Sequence, residues 1–309
     1  MRERRPAELV LGSVPLGRPY GVANRTGKPE RATALRLVSR AADAGVTQFD
    51  TARAYGDSEE RIGEALQSRN AHRTITKLSP LSELAHDASR REVRAAVEES
   101  VSASLAALKR NRLDCLLLHR AAHMSAHAGA IWERLIEYLE QGTIDSLGVS
   151  VQSPEEAFQA LDCRDVRHIQ LPFNLLDWRW RAHGVIDRVA RRADIVVHAR
   201  SALLQGLLAA NDSSIWPRIA NVDAPAIVKL IAELAEDLGR ISPADLCLAY
   251  ARGQSWIDGV VVGLETEGQL ETNLKLFVQK PLSAGQCAFV EARMPRLPAS
   301  LLDPAQWPS

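Results

Sequence analysis

The amino-acid sequence predicts a closed (β/α)8 barrel, in which eight parallel strands are covered by helices, formed by one domain over residues 1–309. Short, nearly continuous apolar runs alternate with segments of helical period, a pattern typical of parallel sheets buried on both faces. Eight such units follow one another along the chain, which is the number that closes this type of barrel. A doubly wound open sheet is the alternative, but the first strand-to-helix turn, LGSVPLGRPYG, lacks the GxGxxG fingerprint.

The first four units show strand and helix signals in alternation. The predicted strands read ELVLGS, VTQFD, RTITK and LDCLLLH, and the helices that follow them read TALRLVSRAADAG, SEERIGEALQS, SRREVRAAVEESVSASLAALK and GAIWERLIEYLEQG. Gly45 is placed to end the first helix, and Ser58 precedes acidic residues at the start of the second. Val93, Val97 and Val101 give the third helix one apolar face.

The last four units follow the same order with longer connections. Their strands read DSLGVSV, VRHIQLPFN, ADIVVHARS and GVVVG. Helical patterns occur in SPEEAFQALD, APAIVKLIAELAEDLG, SPADLCLAYARG and TEGQLETNLKLF, and a polar segment after the sixth strand extends to Arg192. The C-terminal segment LPASLLDPAQWPS contains three prolines, so we expect an extended stretch packed across the surface.

Composition favours small-molecule chemistry in a reducing compartment. Lys plus Arg equals Asp plus Glu at 38 each, so no net charge attracts nucleic acid or an anionic membrane. The cysteines form no CxxC pair and are interpreted as reduced thiols; they are Cys115, Cys163, Cys247 and Cys287. No stretch approaches the ~18 apolar residues of a membrane span, and no signal-peptide core is present. We therefore expect a soluble cytoplasmic protein, as a monomer or a small homo-oligomer.

Three consecutive predicted strands end on titratable residues. Asp50 ends the second strand, Lys77 the third and His119 the fourth, and Tyr55 follows Asp50 by five residues. The carboxyl ends of barrel strands meet at one rim, where the active sites of this fold lie. Each residue alone is more often a turn former, a solvated charge or a structural histidine. Their coincidence at one rim favours a catalytic site.

These residue types suit carbonyl reduction. A free phenol has a pKa of about 10, and an adjacent ammonium group, which Lys77 can supply, favours the phenolate form. A buried lysine in turn needs a counterion, and Asp50 can provide one. His119 would orient a substrate carbonyl while hydride arrives at carbon and Tyr55 protonates the developing alkoxide.

Asp50 and Tyr55 in FDTARAYGDSEERIGEAL, Lys77 in TITK and His119 in LLLH resemble the catalytic tetrad of the aldo-keto reductases. The resemblance covers nearly the whole chain, through GVSV, IQLPFN, RSALLQGLL and VVVGLETEGQLETNL. It implies a (β/α)8 barrel that binds NADP(H) without a Rossmann fold. It also implies reduction of a small-molecule aldehyde or ketone, or oxidation of the alcohol.

The same resemblance implies a cofactor role for residues after the last four strands. Ser150 and Gln170 would hold the nicotinamide amide, with Asn174 nearby, and Arg200 would stack on the ring where many members place an aromatic side chain. The segment from 201 to 208 would wrap the pyrophosphate, and the segment from 263 to 273 would hold the adenosine end. The cofactor residues are Ser150, Gln170, Arg200, Ser201, Leu203, Gln205, Gly206, Gly263, Glu265, Gln269 and Asn273.

One departure from the family's pattern concerns the choice between NADPH and NADH. Most relatives place Lys or Arg after strand 8 to neutralise the 2′-phosphate, but no basic residue occurs from Ile257 through Asn273. Glu265 and Glu267 lie there instead, with Gln269 at a position that commonly holds arginine. A carboxylate repels a phosphate and accepts hydrogen bonds from a free 2′-hydroxyl, so NADH should be accepted comparably to NADPH or better, unless an arginine from elsewhere in the chain folds over the site. Alternatively, both glutamates only complement the helix dipole.

Two sets of side chains have a structural interpretation beside a functional one. His119, His123 and His127 have a spacing that suits a metal on a helix, but they begin at a strand end and should lie in a loop, so we expect no metal site. Trp178 and Trp180 either line a substrate pocket or cover the edge of the barrel.

Other functions and substrate types stay open. Lys77 at a strand end could form a Schiff base, as in an aldolase. The chain could also be a dinucleotide-binding sensor with slow turnover, although a complete tetrad argues against a purely binding role. Arg53 and Arg120 flank tetrad members and either favour an anionic substrate or pair with local acids.

Overall fold

In a computed structural model, which describes residues 6–69 and 71–308, eight parallel strands close into a barrel. The strands are β1 (Glu8–Gly12), β2 (Gln48–Asp50), β3 (Arg73–Lys77), β4 (Cys115–Leu118), β5 (Leu147–Ser150), β6 (Val166–Pro172), β7 (Val196–Arg200) and β8 (Gly259–Gly263). Each strand pairs with the next and β8 pairs with β1, so the sheet closes on itself. The predicted (β/α)8 barrel is confirmed.

Helices follow the strands and cover the outside of the barrel. They are α1 (Val14–Gly17), α2 (Arg31–Asp43), α3 (Ser58–Ala65), α4 (Arg90–Leu108), α5 (Ala130–Glu140), α6 (Pro154–Asp162), α7 (Arg179–Ala182), α8 (Val185–Ala190), α9 (Ala224–Asp237), α10 (Pro243–Arg252), α11 (Glu267–Val278) and α12 (Ala284–Arg293). Capping boxes begin α4, α11 and α12. Within the described residues, none of these helices combines the length and the apolar character that crossing a bilayer requires.

The strand register brings the predicted strand ends to one rim. Gly12 of β1 is level with Asp50 of β2 and with Gly263 of β8. On the opposite side, Ser150 of β5 is level with Gln170 of β6. Because all strands are parallel, the side chains at these ends face one common mouth.

Apolar side chains fill two separate regions. The larger lies between the strands and the helices, and it includes Phe49 of β2 and Val97 of α4. The smaller consists of Ile75, Cys115 and Leu117, which lie on strands β3 and β4. Alternate residues of a barrel strand face the interior, so the small cluster supports the rim from below.

Several short elements were not predicted. The single turn α1 follows β1, the pair α7 and α8 occupies the polar segment after β6, and α12 follows α11. The expectation of an extended C-terminal segment is wrong, because this segment forms 3-10 turns at Ala299–Leu302 and Pro304–Gln306. The Asp303 side chain caps the second turn.

Candidate active site

Asp50 and Lys77 form a buried ion pair at the rim of the barrel. Lys77 Nζ donates to both carboxylate oxygens of Asp50 at 2.8 Å and to the carbonyl oxygen of Thr51 at 2.9 Å. Only 1% of the Lys77 side chain and 4% of the Asp50 side chain are exposed. Three acceptors therefore surround the ammonium group, as a buried charge requires.

Gln170 extends this network from β6. Its Nε2 donates to Asp50 Oδ2 at 2.7 Å. Its Oε1 is buried and has no hydrogen-bond partner among the described residues. A buried carbonyl oxygen without a donor is uncommon, so Oε1 is open to a donor from a bound molecule.

Lys77 keeps its charge despite its burial. Burial by itself lowers the pKa of the ammonium group, but the negative charge of Asp50 and the interaction with Tyr55 outweigh it, so the pKa of Lys77 lies above its ordinary value. Lys77 Nζ lies 5.0 Å from the centroid of the Tyr55 ring. A fixed positive charge therefore lies beside the phenol.

Tyr55 and His119 meet edge to face on the wall of one cavity. Their ring centroids are 5.7 Å apart and the ring planes make an angle of 87°. Burial lowers the pKa of His119 to about 3, and Lys77 and Arg200 act in the same direction. His119 is therefore neutral at physiological pH and can donate one N–H without adding a charge.

A close contact between two glycines fixes the turn that carries Tyr55. A Cβ atom on Gly17 would lie 1.8 Å from the carbonyl oxygen of Tyr55, and one on Gly56 would lie 2.3 Å from the carbonyl oxygen of Gly17. Gly56 also has a φ of 60°, in the left-handed region that favours glycine. A side chain at either position would displace the backbone of the turn.

Buried hydroxyl groups tie the same turn to the strands. Ser58 Oγ lies 2.5 Å from Ser13 Oγ and 2.9 Å from Thr51 Oγ1. Ser13 Oγ donates to the carbonyl oxygen of Asp50 at 2.7 Å. The start of α3 and the ends of β1 and β2 are thus held as one unit.

Arg53 and Arg120 differ in their partners. The Arg53 guanidinium pairs with the buried carboxylate of Glu59 and lies 3.5 Å from Glu60. Glu59 also accepts from Thr76 Oγ1 at 2.6 Å. Arg120 is exposed and has no ion-pair partner in the described part of the chain. Arg53 is therefore a partner of local acids, whereas Arg120 pairs with no acid of the described residues and does not line the cavity at the site.

A cavity of about 880 Å³ extends from Tyr55 and His119 to the first turn of α11. Asp50 also lines it, and Lys77 lies behind Asp50. The eleven residues named above as cofactor residues lie on its wall: Ser150, Gln170, Arg200, Ser201, Leu203, Gln205, Gly206, Gly263, Glu265, Gln269 and Asn273. The structure therefore gathers the catalytic and the cofactor candidates around one space.

The loop after β7 lines this cavity with an unusual backbone. The φ angles of Ser201, Leu204 and Gln205 are 61°, 44° and 55°, and that of Gly206 is 92°. Such angles are uncommon for non-glycine residues and cluster where a loop binds a ligand. Asn174 does not line the cavity; its Nδ2 donates to the carbonyl oxygen of Ser201 at 3.2 Å and holds the loop in place.

The residues around the start of α11 present one carboxylate to the cavity, that of Glu265, which precedes the helix. Glu265 and Gln269 line the wall, and Gln269 Oε1 accepts from the backbone N–H of Glu265 at 2.8 Å. Burial raises the pKa of Glu265. Glu267 lies outside the wall and pairs with Arg36 and Arg40 of α2.

Trp178 and Trp180 cover the edge of the barrel, and neither lines the cavity. Trp180 is fully buried and its Nε1 donates to a β6 carbonyl oxygen at 2.7 Å. Trp178 Nε1 donates to the carbonyl oxygen of Leu297 at 3.2 Å, which ties down the C-terminal segment. Of the two interpretations left open by the sequence, the structural one applies.

Some side chains of the connection between β1 and α2 belong to the site although the sequence did not predict it. Arg18, Tyr20 and Asn24 line the cavity. Only the length of this connection could have pointed to them, since long loops at a barrel mouth are often functional. His123 and His127 lie in 3-10 turns after β4, and the described residues contain no group of three or more His, Cys, Asp or Glu that could hold a metal ion.

The cavity residues fit a nicotinamide dinucleotide. The unpaired Oε1 of Gln170 suits an amide N–H donor. A Cβ atom on Gly268 would meet nothing within 4 Å, so the first turn of α11 leaves its backbone open to a ligand. The cavity volume of about 880 Å³ also lies in the range of cofactor sites.

The fold and the site define an α/β-barrel enzyme with a buried Lys–Asp pair behind a tyrosine. Residues 8–293 match the sequence model of the Aldo/keto reductase family, and the chain belongs to that family. Members of this family are oxidoreductases that generally use NAD(P)H and act on small-molecule carbonyl compounds.

Two solved structures share the fold. An aldo-keto reductase from Bacillus halodurans, in its holo form, aligns with a TM-score of 0.78 at 20% identity, over 94% of this chain and 93% of that one. A thermostable aldo-keto reductase in complex with the inhibitor epalrestat aligns with a TM-score of 0.68 at 20% identity, over 92% of this chain and 94% of the other. At this identity the likeness concerns the fold alone.

Proposed function

We propose that this protein reduces an aldehyde or ketone with NAD(P)H, with Tyr55 as the proton donor. The observation that carries the proposal is the position of Lys77. Its Nζ is 2.8 Å from both carboxylate oxygens of Asp50 and 5.0 Å from the centroid of the Tyr55 ring. This arrangement keeps a positive charge beside a phenol that lines the cavity.

Each tetrad residue has a separate role in the proposed reaction. Tyr55 gives its proton to the carbonyl oxygen, and Lys77 stabilises the phenolate that remains. Asp50 keeps Lys77 protonated. Neutral His119 donates a hydrogen bond that orients the carbonyl group. The nicotinamide cofactor, when bound, supplies the hydride that reaches the carbonyl carbon.

The proposed cofactor site uses the remaining wall of the cavity. Gln170 Oε1 and Ser150 hold the nicotinamide amide, and the left-handed backbone of the loop that begins at Ser201 surrounds the pyrophosphate. The first turn of α11 holds the adenosine end. The support for these roles is that all these groups line one cavity.

The proposed activity is tested by the loss of nicotinamide absorbance against a panel of aldehydes and ketones. We expect oxidation of the reduced cofactor that depends on both protein and carbonyl compound, with the alcohol as product. If the cofactor binds but no carbonyl compound is reduced, the dinucleotide sensor replaces the reductase. If borohydride traps a covalent adduct at Lys77, the Schiff-base lyase replaces it.

The structure favours the reductase over the Schiff-base lyase. The Lys77 amine is almost fully buried and bound to three oxygen atoms. Its pKa lies above the ordinary value, although burial alone would lower it. A Schiff-base lysine needs a free, deprotonated amine, so Lys77 is poorly suited to that role.

NADH is proposed to serve comparably to NADPH or better. The carboxylate of Glu265 lines the cavity, while Glu267 is neutralised outside it by Arg36 and Arg40. Comparison of kcat/KM for the two cofactors with one aldehyde tests this, with Glu265→Gln and Glu267→Gln as matched variants. Only Glu265→Gln should shift the ratio toward NADPH. A wild-type preference for NADPH above about 100-fold, nearly 3 kcal/mol, would contradict the proposal.

A further inference from the structure

Two arginines line the cavity that Tyr55 and His119 also line. Arg18 comes from the connection after β1 and Arg200 ends β7, and both line the cavity. Neither forms an ion pair with a carboxylate within the described residues. Arg200 donates to the neutral Gln152 Oε1 at 2.7 Å, a contact that positions the guanidinium without cancelling its charge.

This positive charge is local to the mouth. The chain as a whole has a formal net charge of zero. Many arginines elsewhere are neutralised by a carboxylate, such as Arg53 by Glu59 and Arg94 by Glu137. Arg25 and Arg120 also have no carboxylate partner among the described residues, but Arg18 and Arg200 are the arginines that line the cavity.

Carboxylates on the cavity wall do not balance these arginines. Among the described residues of the wall, only Asp50 and Glu265 carry a carboxylate. Asp50 is bound to Lys77 through both oxygens. Glu265 belongs to the segment at the first turn of α11, where Gln269 bonds its backbone. An anionic ligand at the mouth would therefore not be repelled by a neighbouring carboxylate of the described wall.

The neighbouring side chains show the effect of the two arginines. Burial raises the pKa of Tyr20, and the charges of Arg200 and Arg18 act against that rise. Arg120 follows His119 and is exposed. Its positive charge lowers the pKa of His119, as the charge of Arg200 does. Three arginines therefore act on the side chains around the proposed reaction centre.

We propose that the carbonyl substrate carries a carboxylate, which Arg18 binds at the mouth while its carbonyl group faces Tyr55 and His119. Arg200, to which the family resemblance gives a place on the nicotinamide ring, adds positive charge on the same wall. This substrate class rests on the reductase function proposed above. A guanidinium group binds a carboxylate through two parallel hydrogen bonds, and it stays charged at every accessible pH. Arg120 adds attraction at longer range.

The test compares two aldehydes of nearly the same shape, 4-carboxybenzaldehyde and its methyl ester, at saturating cofactor. The wild-type protein should show a kcat/KM at least about tenfold higher for the acid, because charged hydrogen bonds are lost with the ester. Raising the ionic strength from about 0.01 to about 0.15 M shortens the screening length from about 30 to about 8 Å and should reduce this preference. Equal values, or a preference for the ester, would overturn the proposal.

Arg18→Gln tests the assigned side chain, with Arg25→Gln as the matched control. Arg25 lies in the same connection and is exposed, but it does not line the cavity. Arg18→Gln should lower the preference for the acid about tenfold and leave the ester within about twofold, and Arg25→Gln should change neither. If Arg18→Gln instead weakens cofactor binding in a fluorescence titration and leaves the preference intact, Arg18 binds the cofactor and its assignment here is wrong.

A binding measurement separates this inference from the reductase function. Calorimetry of the cofactor complex with benzoate and with benzamide needs no turnover. Tighter binding of benzoate, weakened by Arg18→Gln, supports the anion site even if neither aldehyde is reduced. Equal binding of the two compounds overturns the anion site even if both aldehydes are reduced.

Discussion

Polar side chains at the rim of the barrel are joined by hydrogen bonds, whereas most polar atoms of a histidine pair deeper in the barrel have no hydrogen-bond partner among the described residues. At the rim, Lys77, Asp50 and Gln170 are joined by hydrogen bonds of 2.7 to 2.8 Å. Two residues earlier on β6, His168 meets His198 of β7 with ring centroids 4.2 Å apart. Three of the four ring nitrogens of this pair have no hydrogen-bond partner in the described part of the chain.

The difference shows how each level tolerates polar groups in a closed interior. Burial lowers the pKa of His198 to about 3 and places the pKa of His168 well below its ordinary value, so both rings stay neutral. Lys77 stays charged because Asp50 lies against it. The rim therefore retains a charge that chemistry can use, whereas the histidine pair fills space as neutral rings.

The largest expected effect comes from removing the charge at the rim. Lys77→Met should lower carbonyl reduction by about 10²- to 10⁴-fold, because Tyr55, the proposed proton donor, loses its positive neighbour. The basic limb of the pH–rate profile should also move to higher pH. Steady-state rates between pH 6 and pH 10 check both effects. An active variant with an unchanged profile would rule out the Asp50, Lys77, Tyr55 relay.

A stability effect should follow when the counterion is removed. Asp50→Asn leaves the buried ammonium group without its charge partner and should cost on the order of 3 kcal/mol in unfolding free energy. Its activity should fall less than that of Lys77→Met. Asp43→Asn is the control, because Asp43 pairs with Arg69 at the surface and its loss should cost much less stability than the loss of the buried Asp50. Denaturant unfolding of both variants checks this, and equal costs would contradict it.

The smallest effect concerns the histidine pair and the dependence of stability on pH. The unfolded chain binds protons on histidine below about pH 6.5, whereas the folded chain does not until far lower pH, so stability is full above pH 6.5 and declines as the pH falls. Each such histidine should lower the unfolding free energy by about 1.4 kcal/mol for each pH unit below 6.5. His198→Leu should reduce the slope between pH 6 and pH 4 by about that amount.

His86→Gln is the matched control for the histidine measurement, since His86 is exposed. Urea unfolding at several pH values gives the slopes of the two variants and of the wild-type protein. A slope in His198→Leu equal to that of the wild-type protein would show that the pair does not govern acid stability.

The rim was predictable from the sequence because it depends on strand order alone. Asp50, Lys77 and His119 each follow an apolar run, and parallel strands bring such positions to one mouth. Their convergence with Tyr55 therefore needed only the recognition of alternating units. The wall formed by the ends of β5 to β8 could be predicted by the same reasoning together with the family resemblance.

Features that depend on long-range contacts were not predictable. The contact between Gly17 and Gly56 joins the end of α1 to the turn before α3, and no local pattern marks it. Arg18 reaches the mouth because of the path of a long connection, which tertiary packing decides. From the sequence, Arg53 could either pair with local acids or bind an anionic substrate. Only the three-dimensional structure shows that it pairs with Glu59.

The most direct test of the central claim is single-turnover reduction by Tyr55→Phe with one aldehyde and prebound cofactor. This change removes one hydroxyl group from the cavity wall and leaves the Lys77–Asp50 pair in place. We predict that reduction falls by about 10²-fold or more while cofactor affinity and the unfolding midpoint stay at their wild-type values. Reduction at a near-normal rate would contradict the assignment of Tyr55 as the proton donor.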